Sequence, residues 1–200
     1  MTGDFLITKE FLKELSPCTD GYRWFCETYP DGGKYQEILD RLCELGRFDD
    51  ACWLLDKVGA TDDVLKLTSI DDKERSICFA GDVVVKENLV LKNIKAGRSI
   101  EAGRYIKAGE YIKAGRSIKA GWYIEAGGSI KAGWYIEAGG FIEAGGFIEA
   151  GEFIEAGSDY GVYAGLRVRI YDMKEIGYVK AQEKPENLMC GYWEGEGYEI

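Results

Sequence analysis

The stretch that decides the fold runs from Ile94 to Asp159 and reads IKAGRS IEAGRY IKAGEY IKAGRS IKAGWY IEAGGS IKAGWY IEAGGF IEAGGF IEAGEF IEAGSD. Eleven six-residue units follow one another without a slip, each with Ile first, Lys or Glu second, Ala third and Gly fourth. A helix needs apolar residues near a period of 3.6, and a glycine in every unit would cost a helix about 1 kcal/mol each time. Within a unit the order is apolar, charged, small, glycine. That is a three-residue strand alternating inward and outward, followed by a bend. The recurrent glycine suits either a positive φ or a place where neighbouring coils crowd together. Three strands close one turn of 18 residues, and successive coils stack about 4.8 Å apart. The expected inner ladders are Ile94, Ile112, Ile130 and Ile148; Ile100, Ile118, Ile136 and Ile154; and Ile106, Ile124 and Ile142.

Burying each isoleucine is favourable by about 1.5–3 kcal/mol. Ordering each residue costs about 1–2 kcal/mol of backbone entropy, so the ladders need hydrogen-bonded coils, alanine packing and capped ends beside them. The hexapeptide repeat of left-handed β-helix acyltransferases places a small residue two before the aliphatic one. Here that position holds Arg98, Arg104, Glu110, Arg116, Trp122 or Trp134, or Gly and Glu later, and the alanine falls two after the isoleucine. In this respect the tract resembles the I-x-A-G repeats of bactofilin-type, polymer-forming β-helices, which implies a right-handed coil. The expected class is α+β, an N-terminal helical bundle followed by a three-sided parallel β-helix.

The chain of 200 residues carries 25 Lys and Arg against 35 Asp and Glu, a formal net charge of −10, and no histidine. The acidic balance disfavours direct nucleic-acid binding and favours a basic or nucleic-acid-binding protein as partner. Lack of histidine removes imidazole acid–base chemistry, Ser-His and Cys-His pairs and histidine metal ligands. None of the six cysteines lies in C-x-x-C spacing, so they read mainly as small apolar packing residues, with a metal site and disulfides as lesser alternatives. The start, MTGDFLITKEFLKEL, has neither a basic n-region nor an apolar h-region, and no run reaches membrane-spanning length. A cytoplasmic protein without cofactor or membrane contact, with homo-oligomerisation open, is the expectation.

Outside the tract, residues 1–67 read as a helical domain. Thr8 caps a first helix, Asp20 a second through Trp24 and Phe25, a third runs from Lys34 to the stop at Gly46, and a fourth from Asp49 to Val58. The segment from Cys18 to Gly59, with its aromatic pair and G-R-F-D-D-A turn, resembles a helical module of bacterial and phage proteins that often precedes glycine-rich repeats. That resemblance identifies no active site. Residues 68–76 read as a linker, 77–181 as the β-helix, and 182–200 as a tail capping the last coil. Leu166, Val168 and Ile170 stay in hexad register and read as a further strand.

Two surface signals remain. Ile94–Tyr123 carries a net charge of +5 and Ile124–Asp159 one of −6. Tyr105, Tyr111, Tyr123, Tyr135, Phe141, Phe147 and Phe153 precede isoleucines, and strict alternation points them outward. Exposed aromatics in such number signal a contact, either with the chain's own parts or with a partner. Carboxylates copied by a repeat are no sign of acid–base catalysis, so an enzyme is not expected. The preferred reading is an acidic rod that blocks a nucleic-acid-binding protein or complex. It resembles in design the pentapeptide-repeat DNA mimics, and a small acidic protein of this kind looks like phage anti-defence proteins, anti-CRISPRs included. The expected contact set is Glu125, Glu137, Glu143, Glu149 and Glu155 with Phe141, Phe147 and Phe153. The alternative is a structural polymer of bactofilin type.

Overall fold

The structure, a computed structural model, describes residues 2–195. Helix α1 (Lys9–Glu14) starts at Thr8, whose Oγ1 accepts a hydrogen bond from Phe11 N–H at 3.2 Å. Helix α2 (Thr19–Thr28) is capped by Cys18 rather than Asp20, with Sγ accepting from Gly21 N–H at 3.3 Å. Strands β1 (Leu6–Ile7) and β2 (Gly33–Lys34) pair antiparallel and lead into α3 (Tyr35–Glu44) and α4 (Phe48–Val58). Gly46 and Gly59 follow these two helices with φ of 71° and 94°, a conformation that glycine adopts without a Cβ penalty. Leu12, Phe25, Ile38, Leu39, Leu42 and Leu54 bury their side chains around Tyr35.

From Val64 the chain winds into a parallel β-solenoid of about seven turns. The opening strands are β3 (Val64–Leu67), β4 (Ile70–Phe79), β5 (Asp82–Val85) and β6 (Leu89–Ala96). The regular tract supplies β7 (Ile100–Ala102), β8 (Ile106–Ala108), β9 (Ile112–Ala114), β10 (Ile118–Ala120) and β11 (Ile124–Ala126). It continues with β12 (Ile130–Ala132), β13 (Ile136–Ala138), β14 (Ile142–Ala144), β15 (Ile148–Ala150) and β16 (Ile154–Glu155). The closing strands are β17 (Val162–Tyr163), β18 (Tyr178–Lys180), β19 (Leu188–Cys190) and β20 (Tyr192–Trp193).

These strands make three faces. The first holds β3, β5, β7, β10, β13 and β16. The second holds the leading halves of β4 and β6, then β8, β11, β14, β17 and β19. The third holds the trailing halves of β4 and β6, then β9, β12, β15, β18 and β20. The three isoleucine ladders expected from the period are the buried inner stripes of these faces. Positive φ explains none of the tract glycines, since among the described residues it occurs only at Gly32, Gly46, Gly59, Gly165, Gly191 and Ser16. Crowding does. A Cβ on Gly115, Gly133 or Gly151 would overlap the carbonyl oxygen of the glycine one coil below.

The solenoid begins earlier than the alternation indicates. β3 lies inside the stretch read as helical, and β4 runs through 68–76, read as a linker. A register shift between Asp72 and Ser76 bulges an exposed charged run out of β4, which hides the period-two signal. The outer side of β4 packs under α3 and α4, placing Cys78 and Ala80 in the helical core. The Gln36 amide bonds the free edge of β4, donating to Cys78 C=O at 3.0 Å and accepting from Ala80 N–H at 2.9 Å. The bundle thus covers the third face at the N-terminal end of the rod.

Leu89 and Ile94 are five apart rather than six, and the glycine bend between faces is absent there, so β6 crosses two faces as one strand. Asn93, 3 % exposed, fills the gap with its side chain. Its Oδ1 accepts from Tyr111 N–H at 3.1 Å, and its Nδ2 donates to Glu110 Oε2 at 2.9 Å and Ser76 Oγ at 3.3 Å. Asn93→Leu leaves the Tyr111 N–H without its acceptor and should lower stability by about 1–3 kcal/mol in a denaturant titration.

Leu166, Val168 and Ile170 do not form the expected strand. Gly165, at φ 76°, turns the chain outward, and residues through Ile176 make an excursion with a 3-10 turn (Ile170–Asp172) and α5 (Met173–Ile176). Ile170 is 92 % exposed, and Val179 takes the inner place above Ile148 instead. The β-helix does not stop at 181: of the tail read as a cap, Leu188–Cys190 and Tyr192–Trp193 form β19 and β20, which continue the second and third faces, and residues 196–200 lie outside the described residues. No helix among the described residues is long and apolar enough to cross a membrane.

Candidate interaction surface

Each hexad offers three kinds of outward position: the charged second residue on a face, and the fifth and sixth residues at a corner. In the second positions, coils stack lysine against glutamate at three places, beside like-charge neighbours such as Lys95, Lys113 and Lys131. Lys107 meets Glu125 at 2.7 Å, Lys119 meets Glu137 at 2.7 Å, and Lys131 meets Glu149 at 2.9 Å. The bond to its glutamate raises the pKa of Lys107 and of Lys119. Such exposed pairs contribute at most about 1 kcal/mol each, so they set surface charge more than stability.

The five glutamates of the expected contact set do not form one row. Glu137 and Glu155 lie on the first face, Glu125 and Glu143 on the second, and Glu149 on the third. Three of them are occupied by the lysine one coil below; Glu143 and Glu155 have no ion-pair partner among the described residues. The phenylalanines are also distributed, one to each corner, and each ring lies on a neighbour. Phe141 stacks on Tyr123 (4.7 Å between centroids), Phe153 on Tyr135 (4.9 Å) and Phe147 under Tyr178 (4.9 Å). Tyr123 stacks in turn on Tyr105 at 4.9 Å. These rings are half-buried and largely cover one another, so they belong to the corners of the rod and offer little more than their edges.

The fifth positions hold what the sequence reading passed over. Trp122 and Trp134 are 52 % and 46 % exposed, and each lies over an arginine 18 residues earlier. The Arg104 guanidinium sits 4.8 Å from the Trp122 ring centre and that of Arg116 sits 4.9 Å from Trp134. Trp122 follows β10 and Trp134 precedes β13, so the two flank the first face with the Lys119–Glu137 pair between them. The signal was available: at the fifth hexad position a tryptophan twice follows an arginine one coil, 18 residues, earlier.

A second concavity, of 280 Å³, opens in the helical domain between Leu12, Trp24, Phe25, Ile38, Leu42 and Trp53. Arg47 closes one side, over Trp24 at 5.1 Å and paired to Asp20 and Asp50 at 3.1 and 2.6 Å. Cys43, Cys52 and Cys78 gather under α3 and α4. Burial pushes the Cys43 thiol up to about 12, and the hydrogen bond that the Cys78 thiol donates to Cys52, together with burial, raises that of Cys78. Both act as neutral packing groups. The described residues contain no cluster of His, Cys, Asp and Glu arranged to hold a metal ion.

A family model described as the YdhT N-terminal domain matches residues 1–61, the helical domain up to three residues before β3. No curated protein and no solved structure matches the chain.

Proposed function

We propose that this chain is a non-enzymatic binding protein whose solenoid presents its first face to a protein partner, while the helical domain covers one end of the rod. The observation that carries this reading is the pair of exposed, arginine-backed tryptophans on either side of that face. Tryptophan and arginine dominate the energetics of protein interfaces, and cation–π stacking pre-orders both side chains before contact. Neither ring fills the core, so removing them should leave the fold nearly intact. The Trp122→Ala/Trp134→Ala variant should melt within about 2 °C of the parent, because exposed positions away from the core rarely exceed 0.5 kcal/mol. Partner retained by the immobilised protein should fall at least about tenfold, a typical loss for interface anchors. Unchanged retention removes the first face from consideration.

The finer reading, an acidic inhibitor of a nucleic-acid-binding protein of phage anti-defence type, draws support from the net charge of −10 and the acidic C-terminal half of the tract. The lysine pairing narrows its free carboxylates in the expected set to Glu143 and Glu155. Glu143→Lys/Glu155→Lys should then weaken partner binding about tenfold or more at low salt and flatten its salt dependence. An unaltered salt profile would leave charge mimicry without a basis. The bactofilin-type polymer fits the ends less well: among the described residues the first face stops at β16, whereas the other two faces continue for one more strand each, β19 and β20.

A further inference from the structure

The unequal ends of the faces create a slot. Above the coil of β16, β17 and β18 the second face adds β19 and the third face adds β20, but no strand of the described residues follows β16 on the first face. The segment 182–187 crosses this place without forming a strand, held at one end by Gln182 N–H to Glu152 C=O at 2.8 Å and at the other by Val162 N–H to Asn187 C=O at 3.0 Å. Pro185 lacks the N–H that a ladder needs, which keeps the segment from pairing as a strand. Between this segment and β16 lies a cleft of 920 Å³. One missing strand corresponds to a height of about 5 Å.

The floor of this cleft is an unfinished ladder. On the first face each inner residue donates its N–H upward: Val83 to Ser99, Ile100 to Ser117, Ile118 to Tyr135 and Ile136 to Phe153, at 2.8–3.1 Å. Through β13 each glycine N–H donates downward to the third strand residue of the coil below, as Gly121 does to Ala102 and Gly139 to Ala120, at 3.0 and 3.1 Å, whereas Gly157, after β16, donates to Gly140 C=O at 3.0 Å. By the pattern of the regular coils the Ile154 N–H and the Ala156 C=O face the cleft. Its walls carry Glu152, Glu155, Glu183 and Glu186, with Lys184 as the one cation in the lining.

We propose that this cleft docks an extended basic peptide segment of a partner protein, which adds to β16 as a parallel strand. Backbone bonds to Ile154 and Ala156 give it affinity, and an apolar side chain continues the isoleucine ladder. A lysine above Glu155 repeats the Lys–Glu contacts that this rod already makes one coil apart, at 2.7–2.9 Å. A second copy of the rod does not fit. Its β3 lies level with β4 on the other two faces, and β4 would meet β19 and β20 before β3 reached β16. This site is independent of the tryptophan face.

The probe is a fluorescein-labelled peptide with the sequence of residues 116–121, Arg-Ser-Ile-Lys-Ala-Gly. Saturable anisotropy is expected, with amide shifts centred on Ile154 and Ala156. Binding should weaken about tenfold or more in 0.5 M salt and in Glu152→Lys/Glu155→Lys, because screening and charge reversal remove the attraction. A peptide N-methylated along its backbone keeps the charges but cannot pair, and should not bind. Trp122→Ala/Trp134→Ala should bind the peptide as the parent does, which separates this site from the face proposed above. The proposal is overturned by absence of binding, by equal binding of the N-methylated peptide or of Glu-Ser-Ile-Glu-Ala-Gly, or by shifts centred elsewhere. Binding that emerges only after removal of residues 196–200 also overturns it, since the slot would then belong to the chain's own end.

Discussion

Gly133→Ala should destabilise the protein by about 3–5 kcal/mol, beyond the usual range for one added methyl group. A Cβ at Gly133 would overlap the Gly115 carbonyl oxygen one coil below, and Gly151 stands above in the same relation to Gly133 itself. The contact is with backbone, and that backbone is held by ladder bonds on both sides, so no side-chain rotation relieves it. Gly109→Ala is the internal control. The coil beneath Gly109 is the one that lacks a residue, and a Cβ there meets Lys92 O at an ordinary 3.6 Å. Its φ is not positive, so alanine should be neutral or stabilising by up to about 1 kcal/mol through the unfolded chain. Thermal melts followed by circular dichroism distinguish the two. Equal losses at both positions would mean that the glycines serve backbone flexibility and not coil spacing.

That contrast also shows what the sequence made legible. The six-residue period names every inner isoleucine and the class of fold, because a strand fixes which side each residue takes and the stacked coils fix its neighbours. Spacing of five between Leu89 and Ile94 marks an irregular coil, but the remedy, a buried asparagine bonded to three groups, depends on coils above and below that only the fold brings together. Strand β4 was hidden because the exposed bulge at Asp72–Arg75 breaks its alternation, and β3, only four residues long, has no run of alternation to show. At the other end, Leu166, Val168 and Ile170 keep the period yet leave the rod, because Gly165 redirects the chain one residue before the first of them.

The candidate site was legible in part. Reading charge by sequence position gathers Glu125, Glu137, Glu143, Glu149 and Glu155 into one acidic segment, but the winding deals them out over three faces and sets a lysine beneath three of them. Reading by coil, 18 residues at a time, would have paired Arg104 with Trp122 and Arg116 with Trp134. In a solenoid the informative neighbour is one turn away, not next in the chain.

The same one-dimensional stacking governs how the rod fails. Ile124→Ala, at the middle of the second-face ladder between Ile106 and Ile142, should cost about 3–5 kcal/mol. The site cannot collapse to fill the void, since the strands on either side are held at ladder spacing. Each coil touches only its neighbours, so a weak middle coil uncouples the half held by α3 and α4 from the half closed by β17–β20. Calorimetry should therefore resolve two transitions where the parent shows one, and limited proteolysis should release an N-terminal fragment that retains the helical domain. Ile154→Ala removes the same atoms from the last strand of the first face, beside the open cleft, where fewer neighbours lose contact. It should lower stability by about half as much and leave a single transition, because fraying one end does not divide the rod. A single transition for both variants would show that the whole solenoid folds as one cooperative unit with its helical domain.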